Sequence, residues 1–97
     1  MFVMTGYAQC TLENHEKFEK GNRHNIGLFT LDNDYQKNIN QIKQFIKNLG
    51  WDSIEFYYTE EIHAKTSIKH ETLLQGIKRA HKNGQSLIVD DTPIYLH

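Results

Sequence analysis

The residues predict an α+β domain, a two-layer sandwich in which a mixed sheet of about five strands carries two main helices on one face. Three observations lead there. The stretch Asp34 to Leu49 is cleanly amphipathic: Tyr35, Ile39, Ile42, Phe45, Ile46 and Leu49 recur at steps of three and four and fall within roughly a 120° arc. The segments on either side of it alternate apolar and polar residues and are rich in β-branched and aromatic side chains, the mark of half-buried strands. A weaker helical period, Leu73, Leu74, Ile77 and Ala80, precedes a second apolar run at the C-terminal end.

Phe2 to Cys10 reads as the first strand, with Gly6 marking a bulge or a close backbone approach. Residues 11–25 are polar; Thr11 can cap a short helix from Leu12 to Glu19, anchored by Phe18 and ended by Gly21-Asn22. Asn25 to Leu31 is the second strand. Asp32 or Asn33 caps the main helix by accepting from the free N–H groups of its first turn. Gly50 stands where a left-handed residue closes a helix, and Trp51 where an apolar side chain packs back.

Ser53 to Thr59 is the third strand, with Ile54, Phe56 and Tyr58 on one face and Glu55, Tyr57 and Thr59 on the other. The second helix, capped by Thr66 or Ser67, ends at Gly84. Gly76 lies inside it and costs about 1 kcal/mol relative to Ala. Ser86 to Val89 and Ile94 to Leu96 then form a hairpin across Asp90-Asp91-Thr92-Pro93, with Pro93 suited to an edge. The order is ββαβαββ. The second strand, the main helix and the third strand are expected to form a right-handed crossover, making those strands parallel. The alternative is a βαβαβ three-layer arrangement, if residues 12–19 form a true crossover helix.

Ninety-seven residues make a single domain, 1–97. The net charge of −1 sets up no global field toward an anionic partner. Asn, Lys and Ile are abundant and Arg is scarce, a composition common in AT-rich genes of phages and mobile elements. Cys10 is the single cysteine, so no internal disulfide forms, and it reads as a small buried side chain near a strand end. The start, Met1-Phe2-Val3-Met4, lacks the basic and apolar regions of a signal peptide, and no apolar run approaches a membrane span. The expected location is cytoplasmic.

No catalytic motif is present. Of the six histidines, His15 and His70 are each followed by Glu, yet neither has a second His at the spacing of a zinc-protease helix, and no Cys-x-x-Cys exists. No metal site and no cofactor is expected. His70 and His81 share the apolar side of the second helix and read as core-edge residues. The His63-Ala64-Lys65-Thr66-Ser67 run reads as a loop leading into a cap. A small enzyme built on His24 or His63 is the weakest of three functional readings.

Two surfaces stand out instead. Lys78, Arg79 and Lys82 project away from Leu73 and Ile77, a basic face for an anionic partner. On the sheet face turned away from the helices, Val3, Tyr7, Phe29 and Tyr57 form a semi-apolar surface. The leading expectation is a non-enzymatic protein-interaction module, of the accessory, inhibitor or immunity type, acting as a homodimer through Tyr7, Phe29 and Tyr57. The alternative is a nucleic-acid binder using the basic helix and the aromatic sheet face.

Overall fold

The computed structural model describes residues 1–13, 15–63 and 71–94. Its elements are β1 (Phe2–Cys10), β2 (Arg23–Thr30), α1 (Ile39–Asn48), β3 (Trp51–Glu61), α2 (Glu71–Asn83) and β4 (Gln85–Ile94). The α+β class holds, with four strands in the order β3-β1-β2-β4 and every neighbouring pair antiparallel. β2 and β3 run parallel, as expected, with β1 between them and antiparallel to both. β1 takes the centre because both of its faces are apolar enough to bury: Val3 on one side, Met4, Ala8 and Cys10 on the other.

Those two faces also decide the layering. Ile42 and Ile46 of α1 pack with Met4, Ala8, Cys10, Ile26, Leu28, Trp51 and Ile54. Ala80 of α2, flanked by Leu73 and Ile77, packs with Val3 and Phe29. Neighbouring residues of a strand point to opposite sides, so Met4 and Val3 place the two helices on opposite faces. The sheet is covered from both sides, in three layers, and the two-layer expectation is corrected. The third layer does not come from residues 12–19, whose described residues form no helix. Both sheet faces are hydrophobic, and each needs its own cover.

Other boundaries shift for local reasons. Residues 33–38 are turn-like and the regular helix begins at Ile39. The expected cap at Asp32 or Asn33 is corrected: the N-cap position is Asn38, which makes no side-chain capping bond, and Asp32 instead closes the turn ahead of the helix, its Oδ1 accepting from the Asp34 N–H at 2.8 Å and its Oδ2 from the Asn38 Nδ2 at 2.7 Å. Gly50 has φ +100, and its N–H donates to the Lys47 carbonyl at 3.0 Å. A Cβ there would fall 2.3 Å from Leu12 Cγ, so glycine is needed for packing as well as for the turn. That turn swings Leu49 off the apolar stripe, leaving it 46% exposed. Trp51 packs edge-on against Phe18 and His24, closing one end of the α1 core. Cys10 is buried at the end of β1.

The C-terminal hairpin is not formed. β4 is one strand in which His24 pairs with Pro93 and Ile26 with Val89, so Asp90, Asp91 and Thr92 bulge opposite Asn25. The Thr92 N–H donates to Asp90 Oδ1 at 2.9 Å, closing that bulge locally instead of turning the chain back. Pro93 does lie on an edge strand. The expected strand end at Leu96 and the expected caps at Thr66 or Ser67 lie outside the described residues.

Candidate functional site

The register between β1 and β3 creates the most exposed aromatic surface among the described residues. Thr5 pairs with Tyr58 and Gly6 with Phe56, so Tyr57 is an extra residue on β3. The cause is Gly6: a Cβ there would lie 1.9 Å from the Glu55 carbonyl oxygen, and only glycine admits so close an approach. One inserted residue reverses the alternation beyond it. Ile54 and Phe56 pack on the α1 side, as expected, but Tyr58 is turned to the opposite face with Thr5. Tyr57 is 63% exposed and Tyr58 55% exposed.

Cross-strand partners point to the same side. The α2-side row of β3 therefore contains Asp52, Glu55, Tyr58 and Glu60, opposite Gln9, Tyr7, Thr5 and Val3 of β1. Tyr7 organises it. Its hydroxyl donates to the Glu55 carboxylate, the Arg23 guanidinium lies 5.7 Å from its ring centroid, and the Tyr57 ring leans against it at 6.4 Å. The Glu55 hydrogen bond holds the Tyr7 phenol above its ordinary value of 10.0; burial and the Glu55 charge add to this, and Arg23 opposes it. A phenol held protonated is a donor and a packing surface, not a general base. Tyr58 reaches toward Glu60 at 3.4 Å, and Asp52 stands 3.9 Å from Lys47 of α1.

Among the described residues no helix covers β3 on this face, since α2 packs chiefly on β4 and β2. Beside α2 a cleft of about 790 Å³ continues from the tyrosine row. Val3, Leu73 and Ile88 supply apolar lining, and its charged residues are of both signs, Asp90 and Asp91 with Lys17. Thr5 joins the two regions, lining the cleft and pairing with Tyr58. A smaller hollow of about 310 Å³ near Thr30 and Gln85 includes Asp32, whose carboxylate is already occupied by its two bonds within the 33–38 turn.

Of the residues expected on the open face, the structure brings Tyr7 and Tyr57 together and removes Phe29 and Val3. Phe29 is 0% exposed, its ring pressed beneath α2 where a Cβ at Gly76 would approach to 2.7 Å. The face thought to be bare is half-covered by the second helix, and Phe29 is core. Gly76 is thus the close-approach point of α2 on the sheet, reinforced by Ser86 Oγ donating to the Gly76 carbonyl at 2.5 Å. Residues not singled out from sequence are Arg23, Glu55 and Tyr58. Gly6 within a strand was their visible signal, since a bulge there reassigns every β3 side chain beyond it.

Lys78, Arg79 and Lys82 are exposed on α2. Arg79 spends part of its donor capacity on the Leu87 carbonyl at 3.5 Å. His24 is buried, with Nδ1 2.7 Å from the Asp90 carbonyl oxygen and with Nε2 unpartnered among the described residues. It lines neither hollow. His15 lies against Phe18 and accepts from the Lys17 N–H at 3.1 Å. His63 and His81 are exposed, and His70 lies outside the described residues. Among the described residues no three of His, Cys, Asp and Glu are grouped to hold a metal ion, and no helix is long and apolar enough to cross a membrane. No family model matches the chain, and neither a curated protein nor a solved structure matches it.

Proposed function

We propose that this chain is a protein-interaction module that holds a heterologous partner on the exposed tyrosines of β3 and the neighbouring Tyr7 of β1. The observation that carries the reading is the half-buried Tyr7 in contact with the exposed Tyr57, with the exposed Tyr58 one residue further along β3. Tyrosines supply large contact area at low entropic cost and are enriched at interface centres. Here the hydrogen bond to Glu55 and the stacked Arg23 fix one of them in advance, so little order is lost on binding.

Charge selects among partners. Asp52, Glu55 and Glu60 share the face, against the single cation Arg23 among the cross-strand residues described above. A two-fold self-association would bring carboxylates onto carboxylates, at a cost of several kcal/mol, so a different protein is favoured over a second copy. The same carboxylates repel phosphate, which separates the tyrosines from Lys78 and Lys82 and removes the stacking half of the nucleic-acid reading. A small protein of this kind acts by occupying its partner's surface, as accessory, inhibitor and immunity proteins do.

A photo-crosslinking phenylalanine analogue at position 57 or 58, compared with one at position 44 on the exposed side of α1, tests this in the native cell. Protein adducts at 57 and 58 but not at 44 are expected. Adducts to nucleic acid, or none that distinguish these positions, refute it.

A further inference from the structure

We infer that Asn83-Gly84 is a spontaneous modification site: the native turn between α2 and β4 holds back conversion of Asn83 to aspartate and isoaspartate, and each opening of that turn permits it. This is the only Asn-Gly step in the chain. The chemistry requires the backbone nitrogen of the following residue to reach the side-chain amide carbon, and glycine, without a Cβ, hinders that approach least. Asn83 is exposed at the last position of α2, and Gly84 is exposed after it. A Cβ at Gly84 would meet nothing within 4 Å among the described residues, so the reacting atoms stand in open space.

The step balances with water alone. The Gly84 nitrogen loses its proton to a base in solvent and bonds to Asn83 Cγ. The Cγ–Nδ2 bond breaks, and that nitrogen takes up a proton and leaves as ammonia. Water then opens the five-membered ring. Opening at Cγ leaves aspartate; opening at the main-chain carbonyl leaves isoaspartate, with the chain routed through Cγ. Water is consumed, ammonia is released, and nothing is oxidised or reduced.

The fold opposes this in two ways. The Gly84 N–H donates to the Ala80 carbonyl at 2.7 Å, and the Gly84 carbonyl accepts from the Leu31 N–H at 3.0 Å. The nucleophile is therefore protonated and already bonded, and its residue is pinned at the end of β2. The second obstacle is torsional. Asn83 is helical, with ψ near about −42°, whereas ring closure eclipses Cβ and the Gly84 nitrogen about the Cα–C bond and excludes that angle. Opening the last turn of α2 removes both obstacles, and helix ends open at far lower free energy than the whole domain unfolds.

The product does not fit back. β4 begins at Gln85, paired with Thr30, so Gly84 alone joins α2 to β4. Isoaspartate lengthens this one-residue link by a methylene between two anchored elements. Either product also puts a carboxylate at the C-terminal end of a helix, where the dipole opposes negative charge, in the hollow that Asp32 already lines. The turn that opened to react closes less well afterwards.

The test incubates the protein in mildly alkaline buffer, folded or in guanidinium. Peptide mapping by mass spectrometry locates the amide-to-acid change, and an isoaspartyl methyltransferase reads the isoaspartate. Conversion at Asn83 ahead of every other asparagine is expected in both states, more than about tenfold slower in the folded protein. Hydrogen exchange of the Gly84 amide should show protection that matches this slowing. Ala80→Gly, which loosens the last turn, should speed the folded-state reaction about fivefold and leave the rate in guanidinium unchanged. Gly84→Ala should slow the reaction in guanidinium. The isoaspartate form, separated by ion exchange, should melt below Asn83→Asp, which carries the charge without the added methylene.

Equal rates in the folded and unfolded chain overturn the inference. So does the absence of product from the folded protein, faster conversion at another asparagine, Gly84 protection that departs from the slowing, or an unchanged folded-state rate in Ala80→Gly. An isoaspartate form that melts with Asn83→Asp removes the strained link.

Discussion

Replacing Gly6 by alanine puts the link between fold and site under test. The added Cβ would lie 1.9 Å from the Glu55 carbonyl oxygen and 2.8 Å from both the Glu55 carbonyl carbon and the Phe56 Cα. All three are backbone atoms, so no side chain can swing aside. Relief requires β1 and β3 to part by about 1 Å at the bulge, in an interior packed too tightly to absorb it without loss. The expected cost is at the upper end for overpacking, about 3 kcal/mol, a large share of the ~5–15 kcal/mol that holds such domains. At about 4–8 °C per kcal/mol, the melting temperature should fall by roughly 12–24 °C.

Gly21→Ala is the control. Its φ of +93 is unfavourable to alanine, but its Cβ would meet only the tip of Gln9 at 3.9 Å, so the expected loss is about 1 kcal/mol. Thermal unfolding followed by circular dichroism, with guanidinium titration for the free energy, measures both. If Gly6→Ala melts no lower than Gly21→Ala, the steric account of the bulge fails. The orientation of Tyr57 and Tyr58 then needs another cause.

The remaining predictions concern the helix contact, the tyrosine pair and the division between core and surface. Gly76→Ala should destabilise by about 1–3 kcal/mol despite its better helix propensity, because its Cβ would meet the Phe29 ring at 2.7 to 3.2 Å; a stabilised variant in chemical denaturation contradicts this. The Tyr7 phenol, raised by folding, contributes stability that is complete below its ordinary value of 10.0 and lost as pH rises through the folded-state value. In an absorbance titration Glu55→Gln should bring the Tyr7 ionisation down and Arg23→Ala should take it up; no response to Glu55→Gln would exclude their hydrogen bond. Phe29→Ala should cost about 3–5 kcal/mol in denaturant unfolding, whereas Tyr57→Ala should change stability by less than about 0.5 kcal/mol. Comparable losses at the two positions would contradict the assignment of one to core and the other to surface.

Much of the fold was legible along the chain. The apolar steps from Ile39 to Ile46, the turn at Gly50 and the extent of Phe2–Cys10 are local, and the residues that cause each lie within a few positions of it. The tyrosine surface was legible only in part. Tyr7 and Tyr57 are on it, but Phe29 looked like a member because its alternation places it opposite the α1 core. Nothing near Phe29 in sequence announces that Gly76, forty-seven residues later, will press a helix onto its ring. Tyr58 was assigned to the wrong face because strict alternation was carried through a bulge whose cause, Gly6, lies on another strand.

Local sequence determined which segments are helix or strand and which residues end them, because propensity, capping and glycine conformation act over one or two turns of chain. The tertiary structure decided the strand order, the layer count and the makeup of the exposed face. Each of these depends on which of two apolar faces meets which helix, a choice made by long-range packing. The same sheet face is core at Phe29, where α2 lies on it, and exposed at Tyr58.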